Sequence, residues 1–299
     1  MDVKILLLVL AIIVIVCIKI SPSPACINNF KYFYNPTPMD QIAIQSSPPM
    51  YASTSQQLIP KRIIQTAGSN LLDMNIYHTC NQNKYMNPDY EYIFFDNKSC
   101  VSFIQEHFPE YVADFNSIIP GAYKADLFRY LVLYQLGGVY IDCKSAVVEP
   151  LSELVSPTDR LILVQDMEKS HIYNGLIASV PRHKVIKAYI DKYIENIRGK
   201  RYGENSFDIG GPCMCGEVLN LLRGKSRGTP IELGKHDIGG DTVTVNTVVD
   251  FSGKTSVIRR QDGKILFNRA PSNYFLRKLK EMVTLKEYGV RWILRKVYN

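Results

Sequence analysis

Residues 121–151, GAYKADLFRYLVLYQLGGVYIDCKSAVVEPL, constrain the fold more than any other stretch of the chain. Leu127, Tyr130, Leu131 and Tyr134 recur at three- and four-residue spacing, which predicts an amphipathic helix over 124–134. Asp126 and Arg129 share its first turns. Gly137-Gly138 ends it, because glycine accepts the left-handed backbone that a helix cap requires. Val139-Tyr140-Ile141 then reads as a short buried strand, in which residues i and i+2 point to one side. On that alternation Asp142 and Lys144 project together and Cys143 turns away. The stretch therefore asks for a layered α/β packing, with a helix laid against a strand that ends in a carboxylate.

The flanking pattern extends that architecture. Residues 61–66, 90–96, 160–165 and 172–180 are short, β-branched or aromatic runs bounded by turn formers, as strands are. Residues 71–84, 101–108 and 184–198 carry helical spacing. Strand and helix alternate, which predicts an α/β domain over 58–299 with a mostly parallel sheet flanked by helices. Further on, 207–212 reads as a loop, 217–222 as the start of a helix, 242–251 as a strand, and 256–267 as a hairpin around Asp262-Gly263. Leu276, Leu279, Val283, Val290, Ile293, Leu294 and Val297 fall at helical spacing among basic residues. That segment reads as a helix anchored on the domain by Trp292, with peripheral membrane contact as the alternative.

The N-terminus reads differently. Ile5 to Ile18 is an unbroken apolar run between Lys4 and Lys19, so residues 1–20 form a membrane anchor if the lysines reach the interface. The alternative is a signal peptide cut after the small residues Ser23 and Ala25. Residues 21–57 are rich in Pro, Ser, Asn and Gln and read as a disordered stem. Together they imply a single-pass type II protein facing the ER or Golgi lumen, or a secreted one if the segment is cut. With 299 residues, 46% of them hydrophobic, the chain can bury a full core. Its formal charge of +7 is spread along the sequence without a basic stripe, which argues against nucleic acid and suits an anionic small substrate or a membrane surface. An oxidising lumen would permit disulfides among the seven cysteines, but their connectivity does not follow from sequence. Cys213-Met214-Cys215 lacks the partner pair of a zinc site, and His78, His107, His171, His183 and His236 form no ligand motif.

An Asp at the carboxyl end of a strand, beside a helix offering another Asp and an Arg, lies where ligands gather in open α/β sheets. Asp142 there can hold a cation or accept from sugar hydroxyls, and Arg129 can donate to hydroxyl or phosphate oxygens. An Asp126–Arg129 pair at i, i+3 on one helix needs no ligand, and spacing alone leaves both readings open.

The run KADLFRY at 124–130 and LGGVYID at 136–142 closely resembles the signature of the DXD-type sugar transferases of glycosyltransferase family 32. The resemblance extends to IPKRIIQT at 59–66, NPDYEY at 87–92 and YNGLIA at 173–178, and covers about 59–181. It implies a GT-A, Rossmann-like fold, a nucleotide-sugar donor such as a UDP-hexose or GDP-mannose, and retaining transfer to a glycan or glycolipid. Carried over, Asp126 and Arg129 would bond donor hydroxyls. Asp142 would contact the ribose and organise a divalent cation, Mn²⁺ or Mg²⁺. Ile64 and Gln65 would help seat the base, and Gly137 and Gly138 would allow helix and strand to approach. The chain departs from the pattern at Lys144, where the family has a second Asp; an ammonium has no lone pair with which to bind a metal. The departure allows three outcomes: an inactive relative that binds nucleotide sugar or glycan or scaffolds a partner, a cation held through Asp142, or Lys144 acting in the cation's place.

Overall fold

The computed structural model describes residues 41–52, 56–250, 257–269 and 288–299. By its contacts the chain divides into two units, Met1–Ile42 and Ala43–Asn299, and only residues 41 and 42 of the first are described. The predicted anchor lies outside the described residues, as do Leu276, Leu279 and Val283. Among the described residues no helix is long and apolar enough to cross a membrane.

The larger unit is built on a ten-stranded sheet. In chain order its elements are β1 (Arg62–Thr66), α1 (Met74–Tyr85), β2 (Glu91–Phe95), α2 (Asn97–His107), α3 (Gly121–Leu136), β3 (Gly138–Ile141), β4 (Ser145–Val147), β5 (Leu161–Gln165) and β6 (Ile172–Ser179). There follow α4 (Lys184–Arg198), α5 (Pro212–Leu222), β7 (Gly234–Ile238), β8 (Asp241–Asp250), β9 (Val257–Arg260), β10 (Ile265–Arg269) and α6 (Tyr288–Ile293). Strands run in the order β2-β1-β3-β6-β5-β8-β9-β10-β4, with β7 paired to β8.

Most predicted elements form where apolar pattern and capping coincide. Helix α1 starts at Met74 rather than at 71, because the Asp73 carboxylate accepts from the Ile76 amide and caps it there. Asp96 and Ser99 make a reciprocal capping box on α2. Pro212 opens α5 at the first helical position, where its missing N–H costs nothing.

The expected mostly parallel sheet is corrected. Parallel pairing joins β1 to β2, β1 to β3 and β5 to β8, and the remaining pairings are antiparallel. The hairpin-like returns into β6, β8, β9 and β10 reverse direction, which an apolar run does not report. Helix α3 also differs from the amphipathic helix expected: every residue from Leu127 to Leu133 is buried, Arg129 among them. The domain reaches further toward the N-terminus than composition indicates, since Ile44 is buried and Ser47 bridges Tyr92 of β2. At the other end, helix stops at Ile293 and Val297 is buried outside it; the Trp292 indole donates to the Tyr202 carbonyl at 2.5 Å.

Two apolar layers sandwich the sheet. One holds Ile64, Tyr140 and the buried face of α3 with α4 and α5; the other holds Ile63, Tyr92, Val139 and Ile141 with Cys80 of α1. Strands β3 and β4 are separated by residues 142–144 alone, yet five strands stand between them in the sheet. The sheet must curl for so short a link to join them, and the link spans the seam.

Candidate active site

The seam carries the site. Helix α3 and β3 are joined by Gly137 at φ 63° and Gly138 at φ 110°. A Cβ on Gly137 would lie 2.7 Å from Pro181 Cδ, and one on Gly138 would lie 2.9 Å from the Arg62 carbonyl oxygen. Glycine there permits both the backbone and the approach. Arg129 on α3 thereby lies against β3, with its guanidinium 4.6 Å from the centroid of the Tyr140 ring.

Arg129 gathers the two carboxylates. Its Nη2 is 3.1 Å from Asp126 Oδ1 and 3.4 Å from Asp142 Oδ1, while Nη1 donates to the Asn174 carbonyl at 2.5 Å and Nε to the Ala125 carbonyl at 3.2 Å. The Tyr140 hydroxyl donates to Asp142 Oδ1 at 3.2 Å. The Asn174 amide donates to Asp126 Oδ1 and to the Tyr130 hydroxyl, both at 2.9 Å. Tyr130 in turn donates to the Gly210 carbonyl at 2.8 Å, which ties the loop before α5 to the floor of the site.

Exposure separates the roles. The Arg129 side chain is 6% exposed, Asp126 13% and Asp142 32%. Asp142 is thus the carboxylate open to a ligand, and Arg129 is the buried post that orients both acids. Burial pushes the Asp126 carboxyl up to about 7; Arg129 and the Asn174 hydrogen bond pull it down, and Asp142 pushes it up. Burial works against the Arg129 charge, but Tyr140, Asp142 and Asp126 around it hold the guanidinium well above its ordinary value.

Of the residues expected at the site, Asp126, Arg129 and Asp142 come together. Strand alternation holds as far as Tyr140 and Asp142, which share a side, and then stops. Residues 143 and 144 form a turn closed by the Ser145 amide on the Asp142 carbonyl at 2.8 Å, so the expected in-line projection of Lys144 is corrected. Cys143 does turn inward, its thiol 3.3 Å from the Thr66 carbonyl. The side chains of Ile64 and Gln65 are both fully buried. The Gln65 amide donates to the Ile141 carbonyl at 3.1 Å and its oxygen accepts from Tyr92 at 2.9 Å, so both ends of that side chain are committed inside the sheet.

Sequence reasoning passed over Asn174 as a site residue. Between β5 and β6 the register jumps from Leu163↔Ile177 to Val164↔Tyr173, so 174–176 bulge out of that pairing. The bulge delivers both the amide and the carbonyl of Asn174 to Asp126 and Arg129. An Asn-Gly pair inside an otherwise apolar strand was the available signal. Gly175 leaves the space that Asp142 fills, since a Cβ there would lie 2.7 Å from Asp142 Oδ2.

A divalent cation held by protein alone does not fit these residues. Hard cations take six or more oxygens. Here Asp142 Oδ1 already meets Tyr140 and Arg129, Asp126 faces the same guanidinium, and an ammonium stands at the second acidic position of the motif. No cluster of three His, Cys, Asp or Glu suited to a metal occurs among the described residues.

An arginine and a carboxylate on α3 and a second carboxylate just past the end of β3, in a rim of backbone carbonyls and tyrosine hydroxyls, make a site for a hydroxyl-rich ligand. Residues 73–162 match the family described as "Glycosyltransferase sugar-binding region containing DXD motif", and this region is homologous to fungal mannosyltransferases. It is 30% identical over 136 residues to mannosyl phosphorylinositol ceramide synthase CSH1 of Saccharomyces cerevisiae, covering 44% of this chain and 35% of the relative. Initiation-specific alpha-1,6-mannosyltransferase of Candida albicans is 31% identical over 99 residues, 32% of this chain and 25% of the relative. The chain spans about a third of the length of the curated relatives it matches. Among solved structures it is similar to "PaToxG Glycosyltransferase", with TM-score 0.42 and 18% identity over 55% of this chain and 69% of that one.

Proposed function

We propose that this chain is a retaining glycosyltransferase of GT-A type that moves a hexose from a nucleotide sugar to a glycan or glycolipid. The observation that carries the reading is the Arg129 post, which holds Asp126 and Asp142 at the carboxyl end of β3 inside the matched region. The fungal relatives are named for mannose transfer, to inositol phosphoceramide or in alpha-1,6 linkage, so GDP-mannose is the first donor to test and a UDP-hexose the second.

In this reading Asp142, the open carboxylate, accepts from donor hydroxyls, and Asp126 completes the hydroxyl contacts from beneath. Arg129 positions both acids through Nη2, its other donors being held by the Asn174 and Ala125 carbonyls. Cleavage of the anomeric C–O bond leaves negative charge on the nucleoside diphosphate, and catalysis requires positive charge preorganised there. Lys144, one turn beyond Asp142, supplies it. No carboxylate is assigned as a covalent nucleophile, so the acceptor hydroxyl attacks the face that the leaving group departs, which retains the anomeric configuration. The apolar run 5–18 anchors the protein in the secretory membrane as a single-pass type II protein, with the domain in the lumen.

Lys144 also favours a second reading, a relative that binds nucleotide sugar or glycan without turning it over. A thermal-shift screen of nucleotide sugars on the purified protein, followed by transfer and donor-hydrolysis assays, separates the two, because a ligand that binds only the folded state raises its melting temperature. A shift with GDP-mannose or a UDP-hexose together with product supports transfer. A shift without product supports the binding reading, and no shift from a folded sample rejects both.

A further inference from the structure

The donor reading leaves a pair of thiols beneath the site unused. Helix α1 is stitched to β4 by three hydrogen bonds: Gln82 Nε2 to the Val147 carbonyl at 2.6 Å, Asn83 Nδ2 to the Ser145 carbonyl at 2.8 Å, and the Val147 amide to Asn83 Oδ1 at 2.8 Å. Cys80 lies three residues before Asn83, on the same face of α1. Cys143 lies two residues before Ser145 and points inward, toward Thr66. Both belong to one buried apolar layer, with Cys80 fully covered. Tyr92 lies in the same layer, and Cys80 stands near enough to Cys143 to push its thiol up.

The remaining described cysteines are engaged elsewhere. Cys100 meets the Thr66 hydroxyl at 3.4 Å, Cys215 the Tyr130 hydroxyl at 3.0 Å, and Cys213 the Arg227 guanidinium at 3.7 Å. Nor does the pair belong to a metal cluster among the described residues.

We propose that Cys80 and Cys143 close a disulfide under the turn that carries Asp142 and Lys144, tying α1 covalently to the seam of the sheet. The reaction is thiol–disulfide exchange. A disulfide oxidant, glutathione disulfide or the active disulfide of an oxidoreductase, accepts two electrons and leaves as two thiols. Both cysteine S–H bonds break, one S–S bond forms by way of a mixed disulfide, and the two protons pass to the reduced oxidant. The neighbouring Cys80 and burial hold the Cys143 thiol well above its ordinary value, so thiolate is scarce once the reduced protein has folded. The bond therefore forms fastest while the chain folds, and it closes slowly in the folded reduced protein. This inference stands whether or not the site above it transfers sugar.

The test is a thiol map of full-length protein purified in detergent under reductant. One portion meets glutathione disulfide while folded, and another during recovery from urea. Each is quenched in acid, alkylated with N-ethylmaleimide in denaturant and digested without reductant. The expected product is a peptide pair joining Cys80 to Cys143, two hydrogens lighter than the separate reduced peptides, with Cys100, Cys213 and Cys215 alkylated. Its yield is higher in the refolded portion, and the oxidised protein melts higher, an increase that phosphine reductant reverses. C80S and C143S each abolish the cross-linked pair. Soluble refolded protein in which Cys80 and Cys143 both carry N-ethylmaleimide, or in which Cys143 is joined to a different cysteine, overturns the proposal.

Discussion

Two buried titratable groups oppose each other in this fold, and separating them tests the electrostatic account of the site. Asp126 ordinarily titrates at 3.8 and is pushed up to about 7. Between those values the folded state keeps a proton that the unfolded chain has released, so stability falls as pH rises from about 4 to about 7 and then levels off. At about 1.4 kcal/mol per pH unit the loss is about 4 kcal/mol. His183 works the other way. It caps α4 through its ring nitrogen, which accepts from the Val185 amide at 3.2 Å, and burial pulls it from 6.5 down to about 4. Here the unfolded chain binds the extra proton, so stability rises from about pH 4 to about 6.5, by about 3 kcal/mol.

Over most of that range the two contributions cancel. Asp126→Asn keeps an oxygen for Asn174 and Arg129 but removes the titration. The variant should gain on the wild type steadily with rising pH, by about 4 kcal/mol between about pH 4 and about 8, beyond any fixed offset from repacking. His183→Asn, which can still cap α4, should lose ground to the wild type over about pH 4 to 6.5. Urea unfolding followed by Trp292 fluorescence at a series of pH values reads both differences, and groups common to the pair of curves drop out. Parallel wild-type and Asp126→Asn curves would refute the claim that this carboxyl is held neutral by burial. If the donor reading holds, Asp126→Asn is also folded but deficient in transfer.

Arg129→Met leaves two carboxylates without their buried cation and should cost about 3 to 5 kcal/mol, measured by urea midpoint, with loss of any nucleotide-sugar thermal shift. Gly175→Ala places a methyl 2.3 Å from the Tyr173 hydroxyl and 2.7 Å from Asp142 Oδ2. Because the obstructed atoms end side chains, stability should drop by only about 1 to 3 kcal/mol while transfer falls on the order of a hundredfold; equal activity would show that the position of Asp142 is immaterial. Lys144 predicts turnover that survives EDTA, whereas Lys144→Asp, which restores a second acid, should become EDTA-sensitive and regain activity with Mn²⁺. Wild-type turnover abolished by EDTA and restored by Mn²⁺ would reject the ammonium as the counter-charge.

Local pattern carried the elements, and pairing had to come from the fold. The helix before Gly137, the strand after it and the meeting of Asp126 with Asp142 follow from spacing, glycine and alternation over fewer than two dozen residues. Strand direction does not, because Val, Ile and Tyr look alike in parallel and antiparallel ladders; hence the sheet was read as more parallel than it is. The burial of Arg129 does not follow from its neighbours, since nothing near it in sequence announces the Asn174 carbonyl that accepts from it. The partners of the Gln65 side chain, Tyr92 and Ile141, lie far from it in sequence, so its place inside the sheet does not follow from local pattern. Lys144 escaped the strand rule because pairing with β6 ends at Ile141, and past a strand's last pair alternation has no hold.

The seam has a consequence for the order in which this protein can be made. Among the described residues strand β4, directly after Lys144, pairs only with β10: Ser145 with Arg269, Ala146 with Asn268 and Val147 with Phe267. During synthesis the Arg129 post and β3 emerge long before the strand that fixes the far side of the 142–144 link. Contacts so distant along the chain form late, because the loop between them must first be closed. A ribosome-bound chain halted before residue 265 would carry Asp126, Arg129 and Asp142, but the strand after Lys144 would be held by its hydrogen bonds to α1 alone, without its partner in the sheet. Ligand-binding competence should therefore arrive abruptly with the last strand, well after most of the sheet has paired.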